Sequence, residues 1–221
     1  MKITFLGTGT SQGIPVIGCD CPVCTSGDPC DDRLRSSIMV EADGKVIVID
    51  TGPDFRQQML RLKVKRLDAV VFTHPHKDHI AGLDDIRAFN FRQGQDIDVF
   101  TNVLTLKGLQ REFHYVFEEV KYPGVPSIKV HMIEDGPFKV HGIKFIPIPV
   151  MHHKMPVLGF RIGDFAYITD ANFISKESKA KLQGLKVLVL NALRKSQHLS
   201  HFTLDEAIAL GQKYIKSLRI V

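Results

Sequence analysis

FTHPHKDHI, residues 72–80, places three histidines and an aspartate within six positions, directly behind the apolar run LDAVVF (67–72). Imidazole packs poorly in a core and is not required on a surface, so neither burial nor solvation explains the cluster. In an extended segment residues i and i+2 project to the same side, so His74 and His76 can grip one ion. The turn that follows aims Asp78 and His79 at a second position. Imidazoles mixed with a carboxylate suit zinc, manganese or iron and leave room for water. The competing reading is a histidine-rich polar loop that binds nothing.

Two other segments supply what a two-ion site still lacks. PIPVMHHK (147–154) ends a long apolar run at His152 and His153, and YITDAN (167–172) ends another at Asp170. A carboxylate leaving a strand end can bridge two cations, and a third imidazole completes the first ion's face. His152 is preferred to His153 because it follows the strand at the better offset; His153 is then a supporting or surface histidine. Taken alone, Asp170 reads as a turn residue.

The whole chain sets outer limits. Its 221 residues, 44% hydrophobic and 24% charged, have ordinary globular composition, and a single domain over 1–221 is expected. No apolar run is long enough to span a bilayer. Met1 leads straight into KITFLGTG, a strand and turn and not a secretion signal, so a cytoplasmic protein without membrane contact is expected. With 29 basic and 24 acidic residues the net charge is +5, which mildly favours anionic partners. Basic residues cluster only at KVKR (63–66) and RKSQH (194–198), and there is no Trp and only four Tyr. Nucleic acid is therefore less favoured than a small anionic substrate. Three of the four cysteines, Cys19, Cys21 and Cys24, fall in GCDCPVC (18–24), which suggests a metal knuckle before disulfides; Cys30 stands apart.

Strands are expected at 2–7, 36–42, 45–50, 67–73, 97–101, 127–133, 138–150, 157–163, 165–170, 186–192 and 218–221. Helices are expected at 54–63, 83–90, 103–117, 175–183 and 203–217. The last has Leu204, Ile208, Tyr214, Ile215 and Leu218 near helical spacing behind a Thr203 cap with Glu206 three residues on. VEADGKVIV (40–48) reads as a hairpin turning at Asp43-Gly44. Strands come first and helices after, in two halves, with too few helices for a doubly wound parallel sheet. Two sheets face to face and covered by helices fit better, with Asp50, His74, His152 and Asp170 at strand ends.

These marks together, FLGTGTS (5–11), IDTGPD (49–54), THPHKDH (73–79), PVMHH (149–153) and ITDA (168–171), resemble the metallo-β-lactamase superfamily over almost the whole chain. The resemblance implies an α/β fold, a four-layer αββα sandwich, with a dinuclear site at one edge holding two divalent ions, zinc or manganese. It implies that His74, His76 and His152 hold one ion, that Asp78 and His79 hold the other, and that Asp170 bridges them. Asp50 would support the ligands from behind. GCDCPVC is similar to the PhnP-like phosphodiesterase branch, where such a loop, here about 18–31, carries a structural zinc on Cys19, Cys21 and Cys24. In that branch the histidine matched by His201, in SHFTLDEAIAL (200–210), protonates a leaving oxygen; His198 competes for the role. Asp78 and His201 are the candidate catalytic residues. The branch also closes with a strand and a TH segment, whereas this sequence stops at SLRIV (217–221), so a truncated pattern is expected, with three protein ligands each for the second ion and the cysteine zinc. The function implied is phosphodiester hydrolysis, of a cyclic nucleotide or ribose phosphate type, with homodimers allowed. Alternatives are a tRNA 3′-end endonuclease of the RNase Z kind, a glyoxalase II-like thioesterase, or a metal-binding protein without turnover.

Overall fold

Asp43 and Gly44, both at positive φ (51° and 73°), turn the chain between strands β2 (Ser37–Ala42) and β3 (Lys45–Ile49). Ala42 pairs with Lys45 across this two-residue loop, the backbone twist that primed hairpin turns provide. The computed structural model describes residues 1–214, and its contacts divide the chain into two compact units, one ending at Met132 and the other starting at Ile133.

The first unit holds a six-stranded sheet in sequence order, with β1 (Lys2–Gly7), β2, β3, β4 (Ala69–Val71), β5 (Ile97–Thr101) and β6 (Ile128–Met132). β1, β2 and β3 are antiparallel, and β3 to β6 run parallel. Ile47 to Ile49 and Ala69 to Val71 are fully buried, as continuous apolar strands inside a parallel sheet must be. Helices α1 (Phe55–Arg61), α2 (Lys77–Ile80), α3 (Arg87–Gln93) and α4 (Val103–Glu112) supply Phe55, Met59, Ile80, Phe89 and Leu109 to a core shared with Leu6, Val48, Val70 and Val99. Because β3 and β4 are parallel with Ile49 opposite Val71, the residues leaving them, Asp50 and 72–79, emerge side by side.

The second unit is built round β8 (Ile143–His152), which pairs along its length with β9 (Met155–Ile162), at its start with β7 (Phe138–Val140) and at its end with β11 (Phe173–Ile174). β10 (Phe165–Ile168) lies between β9 and the parallel β12 (Val187–Leu190). α5 (Lys176–Ala180) and α6 (Leu204–Tyr214) complete it. The expected capping box at the start of α6 is present. Glu206 N–H donates to Thr203 Oγ1 at 3.2 Å, and Thr203 N–H donates to Glu206 Oε2 at 2.8 Å. Leu210 and Tyr214 then pack on the core with Phe202.

The structure departs from the sequence reading in a few places. The single strand expected over 138–150 is two, because His141 and Gly142 (φ 48° and 91°) form a turn hidden within an apolar alternation. The helix expected over 103–117 ends at Glu112 and gives way to a 3₁₀ turn, His114–Val116; the one expected from 83 begins as a 3₁₀ turn, Leu83–Ile86, before α3. The one-turn α2 and the two-residue β11 were below the length that periodicity detects. The strand expected at 218–221 and the end of the helix expected at 203–217 lie outside the described residues.

Candidate metal centre

In the first unit Asp50 stands at φ 67° at the end of β3, and its carboxylate is fully buried. Thr73 N–H donates to Oδ1 at 2.8 Å and Thr73 Oγ1–H donates to Oδ2 at 2.7 Å. His79 Nδ1 lies 2.7 Å from the same Oδ2. A carboxylate can only accept here, so His79 carries its hydrogen on Nδ1, which makes Nε2 its candidate coordinating nitrogen. The hydroxyl of Thr73 has spent its single hydrogen on Asp50, so at 2.9 Å it must accept from His74 Nδ1. Nε2 is likewise the candidate coordinating nitrogen of His74. One buried aspartate thus fixes two imidazoles in the form that a metal requires.

The candidate ligand atoms are spaced for coordination. His74 Nε2 is 3.2 Å from His76 Nδ1, and His79 Nε2 is 3.3 Å from Asp78 Oδ2. Two ligands on a tetrahedral zinc, with bonds of about 2.0–2.1 Å, stand about 3.3 Å apart. The backbone is drawn tight to achieve this: a Cβ on Gly52 would fall 2.1 Å from the carbonyl oxygen of Asp78. Glycine in IDTGPD lets that turn press against the segment that carries His76, Asp78 and His79.

In the second unit His152 ends β8, and its Nδ1 donates to the carbonyl of Ser200 at 2.9 Å, which again makes Nε2 the candidate coordinating nitrogen. His152 and Asp170 offer ligand atoms within 4.8 Å of each other. Asp170 repeats the backbone of Asp50, at φ 50° just past a strand whose neighbour, β12, is parallel. His153 is the hairpin residue after His152 (φ 55°), held by its N–H to Asn172 Oδ1 at 2.8 Å, with the residue exposed. His201 packs against His152 with ring centroids 4.7 Å apart and against His198 at 5.1 Å. Its Nδ1 is 3.9 Å from Asp170 Oδ1 and 3.4 Å from Asn191 Nδ2. Sequence reasoning missed Asn191, which bonds both the N–H and the carbonyl of Ala171, at 2.9 and 3.0 Å. An asparagine after an apolar strand carries no signal of that task.

Cys19, Cys21 and Cys24 hold their sulfurs within 4.8 Å of one another. Zinc–thiolate bonds of about 2.3 Å require sulfur–sulfur edges near about 3.8 Å, so the knuckle fits a tetrahedral ion. The N–H of Cys24, helped by the neighbouring thiols, pulls the Cys21 thiol down to about 7. Val16 N–H points at Cys24 Sγ at 3.4 Å, yet burial and the other two thiols hold Cys24 above its ordinary value. Amides aimed at sulfur favour thiolates, the form that binds metal. Cys30 sits in the separate 3₁₀ turn Pro29–Asp31, its thiol raised by Asp28.

Residues 45–220 match the Beta-lactamase superfamily domain. The crystal structure of a diphosphatase from the PhnP family superposes with a TM-score of 0.89 at 43% identity, covering 96% of this chain and 81% of that one. Among curated proteins, an octanoyltransferase of Porphyromonas gingivalis is 40% identical over 216 residues, 96% of this chain and 44% of its own length. A ribonuclease Z of Nostoc sp. is 28% identical over 170 residues, 74% of this chain and 47% of its own length. The chain spans less than half the length of either curated relative.

Proposed function

Because this chain belongs to the metallo-β-lactamase superfamily of hydrolases, in its PhnP-like group, we propose that it cleaves phosphodiesters at a pair of divalent cations, zinc or manganese. In this reading, as the family resemblance implies, His74, His76, His152 and Asp170 are one set of ligands and Asp78, His79 and Asp170 the other, within a single catalytic domain. The observation that carries it is the set of three imidazoles, His74, His79 and His152, whose Nδ1 hydrogens are each directed at an oxygen acceptor, the tautomer in which Nε2 is the coordinating nitrogen. Bound there, the ions supply an activated water and offset charge building on phosphoryl oxygens. Asp50 and Thr73 hold the first ligands in register, and the Ser200 carbonyl holds His152. His201 serves as general acid, giving its proton to the leaving oxygen as the P–O bond breaks, an assistance worth ~10²–10⁴ in rate. The cysteine knuckle binds a zinc that acts on stability.

The substrate class is supported by relatives named for phosphate chemistry, a diphosphatase and a ribonuclease. The octanoyltransferase name points elsewhere, but more than half of that protein lies outside the match. A small diester also suits the net charge of +5. The test is turnover of bis(p-nitrophenyl) phosphate by metal-loaded protein, beside a precursor tRNA and a glutathione thioester. We expect diesterase activity that His76→Ala abolishes together with most active-site metal, while the circular dichroism spectrum persists. Unchanged metal stoichiometry in that variant, or preference for the thioester, would overturn the proposal.

A further inference from the structure

Helix α4 carries a glycine near its middle, Gly108, although its backbone there is ordinary helix with no positive φ. Alanine holds a helix better, so backbone conformation does not account for the residue. Space does. A Cβ on Gly108 would fall 2.6 Å from the Cβ of Pro75 and 3.6 Å from its Cα. The first distance is about 0.8 Å short of ordinary van der Waals contact at 3.4 Å. α4 has little room to retreat. Leu109, beside Gly108, is fully buried in the core, and Asn102 Oδ1 accepts the Thr105 N–H at 2.9 Å where the helix starts. One turn beyond Gly108, Glu112 pairs with Lys77. Pro75 and Lys77 are the two neighbours of His76, so one face of α4 holds the chain on both sides of that residue. On the far side the His76 carbonyl accepts from the His79 and Ile80 N–H groups, at 3.0 and 3.1 Å, and so begins α2.

We propose that Gly108 is a positioning residue: its missing side chain lets α4 seat Pro75 directly, and this sets His76 against His74, whose ring nitrogens stand 3.2 Å apart. The Lys77 side chain is largely exposed, so its pair with Glu112 is weak and the contact at Pro75 carries the effect. A metal constellation tolerates displacements of only about 0.5 Å, less than the shift a methyl group at position 108 demands of Pro75. The inference rests on the metal-site reading, which makes His76 a ligand.

Zinc affinity, read by competition with a chromophoric chelator, provides the test, with His76→Ala as the blank for ions held elsewhere. Gly108→Ala should weaken the His76-dependent ion at least about tenfold, as the loss of an outer support does. In EDTA the same variant should melt no lower than the native protein, because the Pro75 segment gives way and alanine is the better helix former. Glu112→Gln should cost only about twofold in zinc affinity. Pro75→Gly removes the Cβ that the new methyl meets, so in that background Gly108→Ala should cost almost nothing. Native zinc affinity in Gly108→Ala, or an equal loss in both backgrounds, would overturn the proposal. If Gly108→Ala alone does not fold, recovery of fold and zinc binding on adding Pro75→Gly supports the proposal, and no recovery overturns it. Zinc uptake by the native protein that does not depend on His76 would instead refute the metal-site reading, and this inference with it.

Discussion

Asp50→Asn is the most informative single change at the metal centre, because it alters hydrogen bonding with almost no change of shape. Asparagine accepts the left-handed φ of 67° as readily as aspartate, so the backbone has no reason to move. If Oδ1 still accepts the Thr73 N–H, the new amide nitrogen takes the place of Oδ2. There it meets two hydrogens, from Thr73 Oγ1 and His79 Nδ1, where a donor is not tolerated. Thr73 can turn its hydroxyl round, accept from the amide and donate to His74 Nδ1, which moves the hydrogen of His74 onto Nε2. His79 must make the same exchange. Both nitrogens that should face an ion then carry hydrogen. An outer partner of a metal-bound histidine is worth ~10–100-fold in affinity, and two are lost together, so zinc affinity should fall ~10²–10⁴-fold. The metal-free protein should melt no lower than the native one, since a buried charge has been removed. Competition with a chromophoric zinc chelator measures the first effect and thermal denaturation in EDTA the second. Native-like zinc affinity in Asp50→Asn would refute the tautomer argument.

Asp68 provides an independent check on the first unit. Although burial pushes its carboxyl upward, Arg66, the Val46 N–H and Lys45 together hold it down to about 2, from an ordinary 3.8. A depressed folded value stabilises the protein above pH about 4, and the contribution of ~2 kcal/mol is lost as pH falls through about 2; Asp68→Asn should flatten urea-unfolding stability across that window, and an unaltered profile would count against it. For the cysteine knuckle, Cys21→Ser should release about one zinc per chain and lower the melting temperature, because the binding energy of a structural site is folding energy. Diesterase activity per catalytic ion should persist in the folded fraction; an unchanged zinc content and melting temperature would dismiss the knuckle as a metal site.

The residues that stand out in the sequence are those whose own chemistry the proposed site would use. His74, His76, Asp78 and His79 are conspicuous because few tasks need so many donors so close together, and Asp43-Gly44 because few pairs turn a hairpin so well. Groups that act by orienting another group leave no such mark. The Nδ1 of His152 is fixed by a backbone carbonyl, that of Ser200, and every residue has one. Asn191 earns its place through Ala171, twenty positions earlier, across a pairing of parallel strands that no local pattern announces. The His141-Gly142 turn was hidden for a related reason: apolar alternation resumes directly beyond it, shifted by one position, from Phe138 and Val140 to Ile143 and Phe145. Parallel pairing also explains why the two units resemble each other where it counts. In each, an aspartate at positive φ leaves one strand of a parallel pair, Asp50 beside β4 and Asp170 beside β12, and is clamped by a residue leaving the other, Thr73 directly and Asn191 through Ala171. Adjacent parallel strands deliver their ends to the same edge, so a carboxylate and the group that orients it need not be near in sequence. Candidate ligands can therefore be picked out by composition and spacing, whereas the groups that clamp Asp50 and Asp170 are found only by knowing which strands are parallel neighbours.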